Sequence, residues 1–260
     1  MTLLQRCTGP LLLAIFAGCL IAQVLVRPAV GIANNGDFPK MAGPLALGPE
    51  EGGWEAHPQY SQFLYCFVRN DRFEWEHDFR TAEFLSSEFF LVKLARGLQR
   101  IVQPGPRFDI RWLGAVNGIF FLLAIAVWVY AIPARWRFYA GPFLIFIWTD
   151  VAYVQYLNSF YMDTAAMIFL ALCIGAALHV LKNPNGIIWP LAMAAAAILF
   201  TVSKSQHAVS GLLFVPLLIG FALWSRHSLA RAVWPVAAVV LVVGSSVVLR
   251  RQTTAWRSIG

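Results

Sequence analysis

The sequence predicts an all-α integral membrane protein with about seven transmembrane helices. Amphipathic interfacial helices are expected in a large first extracytoplasmic loop. Three observations carry this. Of 260 residues, 59% are hydrophobic and only 13% are charged, where a soluble domain carries roughly a quarter. Mean hydropathy is +0.64. Uncharged runs near the roughly 20 residues that a bilayer core requires recur along the chain, most without a polar face.

Charge and cysteine content narrow the class. The net charge is +7, but Lys and Arg sit at the ends of apolar runs, as membrane topology demands; no nucleic-acid partner is expected. The four cysteines, Cys7, Cys19, Cys66 and Cys173, show no metal-ligand spacing and no disulfide framework.

The first run extends from Cys7 to Val26, between Arg6 and Arg27. A cleaved signal peptide is the competing reading, because Gly31-Ile32-Ala33 resembles a small-residue cleavage site. A retained helix is favoured, since many spans follow and the first would orient them. Residues 31–110 differ from the rest and read as the first extracytoplasmic loop region of a single domain covering 1–260. Within it, 41–60 reads as irregular loop and 59–69 as a short interfacial helix. Thr81–Val102 reads as an amphipathic helix with Thr81 as N-cap. Leu85, Phe89, Val92, Leu98 and Ile101 form its apolar stripe, and Lys93, Arg96 and Arg100 its polar side. Such a helix can lie flat on a membrane. Pro104-Gly105-Pro106 ends it.

Six spans follow. The second is bracketed by Arg111 and Arg135. The third runs from about Phe138 to Tyr156, interrupted by Asp150. The fourth runs from about Thr164 to Leu181, and the fifth lies between Lys182 and Lys204. The sixth extends from about Ala208 to Ser225, and the seventh lies between Arg231 and Arg250. Short connections make neighbours antiparallel. The small residues around Ala192–Ala197 allow close helix approach.

Orientation follows from short-loop charges. Arg6, Arg135, Arg137, Lys182, Arg226 and Arg231 fall on one side with no acidic residue, which makes that side cytoplasmic. Four polar clusters then reach the other face. They are Asn34-Asn35-Gly36-Asp37, Asn158 to Asp163, Ser203-Lys204-Ser205-Gln206-His207, and Arg250-Arg251-Gln252.

These clusters hold the candidate site. Asp37 is the candidate general base, placed by a loop tied to the first helix; a plain turn-forming Asp is the alternative. Asn34 and Asn35 are candidates to orient it or hold a sugar. Asp150, a carboxylate near the outer end of a span, is a functional candidate or a structural hydrogen-bonding group. Asp163 opens the fourth span, as helix capping or as a second site carboxylate in the company of Asn158 and Tyr161. Asp37 with Asp163 is a candidate oxygen pair for a divalent cation, which the spacing does not require. Lys204, Gln206 and His207 suggest a polar pocket with a phosphate contact. Arg250 and Arg251 suit bidentate phosphate recognition or a charged helix end. Since no nucleotide-sugar pool is expected outside the cell, an activated donor there would be lipid-linked, with basic residues on its phosphate and helix grooves on its tail.

The segments Asn34-Asn35-Gly36-Asp37-Phe38, Asn158 to Asp163 and Ser203 to His207 resemble the bacterial GT-C glycosyltransferases of surface-glycan assembly. The resemblance implies a membrane glycosyltransferase that moves a sugar from a polyprenyl-phosphate donor to a glycan or lipid acceptor at the extracytoplasmic face, among membrane lipid. It implies Asp37 as the catalytic base or a metal-linked carboxylate, and a role for Asp163, where similar proteins often have Glu. It also implies spans beyond residue 260, so that the chain would be a C-terminally truncated piece. A transporter or flippase for a lipid or glycan is the alternative; it would place polar residues nearer the membrane midplane and often show internal repeats.

Overall fold

The computed structural model describes residues 3–26, 29–30, 37–45, 47–49, 66–69, 84–105, 107–183, 186–224 and 228–259. The described chain is mostly helical. Helix α1 (Leu3–Leu20) runs on into a π-helical turn, Ile21–Leu25. That wide turn leaves backbone carbonyls for other partners. Val24 O accepts from Asn158 Nδ2 at 2.8 Å, which ties the end of the first span to a segment more than a hundred residues later.

A short helix, α2 (Phe38–Ala42), follows directly on Asp37. Three short strands, β1 (Leu47–Pro49), β2 (Cys66–Arg69) and β3 (Arg107–Asp109), form an antiparallel sheet in the order β1-β2-β3. The strands are short, three or four residues each, in a chain that is otherwise helical, consistent with an all-α membrane protein. At Cys66–Arg69, where a short helix was expected, Phe67 and Val68 favour a pleated backbone and pair with β1 on one side and β3 on the other.

Helix α3 (Ser87–Val102) starts later than expected. Its N-cap is Ser86, whose side chain accepts from Glu88 N–H. The expected cap, Thr81, lies outside the described residues. The buried face is also rotated: Ser87, Glu88, Leu91, Val92, Ala95 and Gln99 point inward, while Ile101 is 80% exposed. The inward face is polar at both ends, so hydrophobicity alone misplaces it.

Next come α4 (Arg111–Ala131), α5 (Ala134–Trp148), α6 (Val151–Val154), α7 (Met162–Lys182), α8 (Ile188–Thr201), α9 (Ser205–Gly211), α10 (Phe214–Trp224) and α11 (Ser228–Ile259). Among the described residues, five segments are long and apolar enough to cross a membrane: Cys7–Leu25, Arg111–Ala131, Met162–Lys182, Ser205–Trp224 and Arg231–Arg251. Helix α8 is apolar but has only 14 residues, roughly 21 Å of rise against a core of about 30 Å. Helix α5 stops at Trp148 and the chain resumes as α6. The chain is therefore a multi-pass membrane protein.

Two apolar cores hold the helices. One gathers α1, α3, α4 and α7 around Phe16, Phe121 and Phe169. The other gathers α7, α8, α10 and α11 around Ala176, Ala197, Trp234 and Leu241. Lipid is as apolar as these cores, so close packing and hydrogen bonds do the holding. Two glycines make that packing possible. A Cβ on Gly114 would strike Asn158, and one on Gly211 would strike Thr201.

At the end of the bundle away from Asp37, cationic and imidazole side chains satisfy the last carbonyls of α4. Arg137 Nε donates to Val129 O (3.1 Å) and Ile132 O (3.0 Å). Lys182 Nζ donates to Ala131 O, and His179 Nε2 contacts Val127 O at 3.0 Å. The carbonyls of Val129, Ala131 and Ile132 are groups a helix leaves unpaired at its C-terminus, and Val127 O lies one turn further in.

Candidate functional site

The candidate site is a chain of alternating charges. Asp37 is buried, 3% exposed. Met41 N–H donates to Asp37 O (3.1 Å), which fixes Asp37 to the first turn of α2. Lys204 Nζ donates to Asp37 Oδ2 and to Asp163 Oδ2, both at 2.9 Å. Lys40 Nζ lies 3.2 Å from Asp37 Oδ1, and His207 Nε2 lies 2.6 Å from Asp163 Oδ1. The run Lys40–Asp37–Lys204–Asp163–His207 joins α2, the head of α7 and the turn into α9.

Each side chain is placed by its element. Asp163 lies in the first turn of α7. A carboxylate there suits the helix dipole, but its oxygens also carry Lys204 and His207. Lys204 immediately precedes α9 in extended backbone. The 202–203 turn before it is fastened to α3: Ser86 Oγ donates to Ser203 O (2.7 Å) and Ser87 N–H to Val202 O (3.2 Å). Burial works against the Lys204 ammonium, yet its bonds to Asp37 and Asp163 outweigh that and raise its pKa above 10.5. Burial, followed by the Asp163 charge, pushes the Tyr161 phenol up, so it stays a neutral donor. The Lys204 ammonium also stands 5.1 Å from the Tyr161 ring centre.

Beside this chain opens a cavity of about 730 Å³. Tyr161, Asp163, Lys204 and Gln206 form its polar mouth, while Trp128, Trp148, Tyr153 and Tyr156 supply an aromatic wall. Met167, Leu170 and Ile174 continue it along one face of α7, roughly 16 Å from Asp163 at 1.5 Å per residue. Tyr156 and Tyr161 stack with ring centres 5.0 Å apart. The cavity is thus charged at one end and apolar at the other.

Of the residues singled out in sequence, Asp37, Asp163, Lys204 and His207 come together, and Tyr161 and Gln206 line the cavity. Others stand elsewhere. Asn158 is fully buried and clamps the end of the first span instead of facing the cavity. Asp150 caps α6, accepting from Ala152 N–H at 2.7 Å, because the helix breaks there; it does not line the cavity. Arg250 and Arg251 are exposed along α11, which runs on as helix to Ile259 where a tail was expected, and they do not line the cavity. Asn34 and Asn35 lie outside the described residues. As for a divalent cation, the two carboxylates share the Lys204 ammonium. Among the described residues no group of three or more His, Cys, Asp or Glu side chains is arranged to hold a metal ion.

Sequence reasoning missed Lys40, Ser86, Glu88 and the tryptophans of the wall. Lys40 had a signal, three residues after Asp37 on a helical turn. Glu88 had one too, because it shares the 88-91-92-95-99 face of α3. Trp128 and Trp148 had none, since each sits in an apolar run.

The family model of the YfdI N-terminal transmembrane domain matches residues 2–253. No curated protein and no solved structure matches the chain. The chain belongs to the family of the YfdI N-terminal transmembrane domain.

Proposed function

We propose that this transmembrane domain is a GT-C-like glycosyltransferase with about seven spans. It moves a sugar from a polyprenyl-phosphate donor to a glycan or lipid acceptor at the extracytoplasmic face, in cell-envelope or surface-glycan assembly. One observation carries the reading: the Asp37–Lys204–Asp163 bridge stands at the mouth of a cavity that turns apolar along α7. Such a cavity suits an amphipathic ligand, with phosphate and sugar at the charged end and a prenyl tail at the other.

The chemistry follows from the charges. The donor phosphate competes with the carboxylates for Lys204. Once Lys204 turns to phosphate, Asp37 Oδ2 can accept a proton while Lys40 stays on Oδ1. The acceptor hydroxyl attacks the anomeric carbon of the sugar, its proton passes to Asp37, and the bond from that carbon to the phosphate oxygen breaks. Polyprenyl phosphate leaves with the electron pair, and Lys204 meets its charge. Tyr161 and Gln206 are placed to hold sugar hydroxyls.

The test is sugar transfer from a polyprenyl-phosphate donor in membranes carrying the full-length chain, wild type against Asp37→Asn. The expected loss is about 10²–10⁴-fold, the usual contribution of a general base. Retained transfer removes Asp37 from the chemistry. Unchanged surface glycan in cells carrying the variant argues against the enzyme reading.

A further inference from the structure

The first turn of α3 hides a carboxyl group that the mechanism does not use. Glu88 is 0% exposed. Its Oε1 accepts from Asn117 Nδ2 of α4 at 3.3 Å, and the same Nδ2 donates to Leu157 O at 3.0 Å. Glu88 Oε2 and Asn117 Oδ1 are both buried and have no hydrogen-bond partner. Each is a buried acceptor left without a donor. A proton makes the Glu88 carboxyl a donor and spares the cost of a buried carboxylate, which has no ion-pair partner among the described residues.

Among the described residues the nearby charges are already engaged; Lys40, which stands 5.7 Å from the Phe84 ring centre just before α3, is paired with Asp37. Among the described residues packed against this turn, α4 offers Asn117. Arg111, at the head of α4, is paired with Asp109. On α7, Asp163 is engaged by Lys204 and His207. Lys204, after the 202–203 turn, is taken by Asp37 and Asp163.

The same turn of α3 grips the candidate site. Ser86 Oγ and Ser87 N–H hold the carbonyls of Ser203 and Val202, the two residues just before Lys204. We propose that Glu88 is a positioning residue whose protonated carboxyl seats the head of α3, and that ionising it loosens the 202–204 turn and the Lys204 bridge. That this affects sugar transfer rests on the reading above; the mechanical link does not.

Burial, against weaker opposition from the Asn117 bond and the Ala165 backbone, raises Glu88 from 4.5 to about 8. For an acid whose folded value is raised, the stabilisation is full below the unfolded value and is lost as pH climbs to the folded one. The window is therefore pH 4.5 to about 8. Across it the opened form gains about tenfold per pH unit on the closed form.

The experiment is amide hydrogen exchange of the chain in lipid nanodiscs, read over residues 200–210 from pH 5 to pH 8. Wild type is compared with Glu88→Gln at each pH, so intrinsic exchange cancels. The Gln amide supplies a donor and cannot ionise. The ratio of wild-type to Gln exchange should rise by about tenfold per pH unit. A Glu88→Ala chain, which can neither donate nor ionise, should exchange faster than Gln with a ratio independent of pH. A wild-type to Gln ratio that stays flat overturns the proposal. Exchange is read without substrate, so failure of this link and failure of the glycosyltransferase reading are separable.

Discussion

The two ends of the bundle use the same kinds of side chain for different ends. Away from Asp37, Arg137, Lys182 and His179 meet backbone carbonyls of α4 and nothing acidic that the structure describes. Around Asp37, Lys204 and His207 meet carboxylates, one of them almost fully buried, beside a large cavity. The first arrangement completes a helix end. The second holds charge in reserve, because a carboxylate–ammonium bridge can be reopened by a competing anion, while a capped carbonyl offers such an anion nothing. A basic residue at a helix end is therefore informative only once its partner is known.

Substitutions sharpen that contrast. The largest effect on stability should come from Lys204→Ala, which strips Asp37 and Asp163 of their shared cation. With Asp37 only 4% exposed at its side chain, the cost should be about 3 kcal/mol, the range for breaking a buried pair. Thermal unfolding in detergent measures it. A loss below about 1 kcal/mol would mean that Lys40 alone suffices for Asp37.

Acidity separates the same groups. The Lys204 bridge raises the lysine's pKa above 10.5. Its contribution should persist up to about that pH and fade only as pH rises through the folded value. The Glu88 seat should instead weaken from pH 4.5 to about 8. Stability followed across pH in wild type and in Lys204→Ala should differ by a constant from neutral pH to about pH 10, then converge. Convergence near neutral pH would break the assignment.

His207→Ala should have a smaller effect. Its contact with Asp163 is partly open, with side chains 23% and 29% exposed, so about 1 kcal/mol is expected. Transfer should fall less than with Lys204→Ala. Smallest is Arg137→Ala at the other end, about 0.5–1 kcal/mol from lost carbonyl contacts. Its transfer rate, measured in the same membranes, should match wild type. A rate as low as that of Lys204→Ala would erase the distinction between the two ends.

Much of this was legible in the sequence, and the exceptions have physical causes. Uncharged runs marked the long spans because a bilayer demands length and apolarity together. At α5 and α8 the helices are shorter than the runs that marked them, because Asp150 caps a new helix in one and the other has 14 residues. The meeting of Asp37, Asp163, Lys204 and His207 was legible because alternation brings their turns to one face. The roles of Asn158 and Asp150 were not. An amide or carboxylate near a helix end looks the same in sequence whether it holds a ligand or a neighbouring backbone, and here it holds backbone. Glu88 was hidden for a related reason: an acidic residue in a helix reads as solvated until the neighbouring helices bury it.

The most direct test of the central claim is a structure with a polyprenyl-phosphate sugar bound. The account predicts the donor phosphate within hydrogen-bonding distance of Lys204 Nζ, Asp37 Oδ2 released from Lys204, and the prenyl chain lying along Met167, Leu170 and Ile174. A donor bound elsewhere, with the Lys204–Asp37 contact still at 2.9 Å, would contradict it.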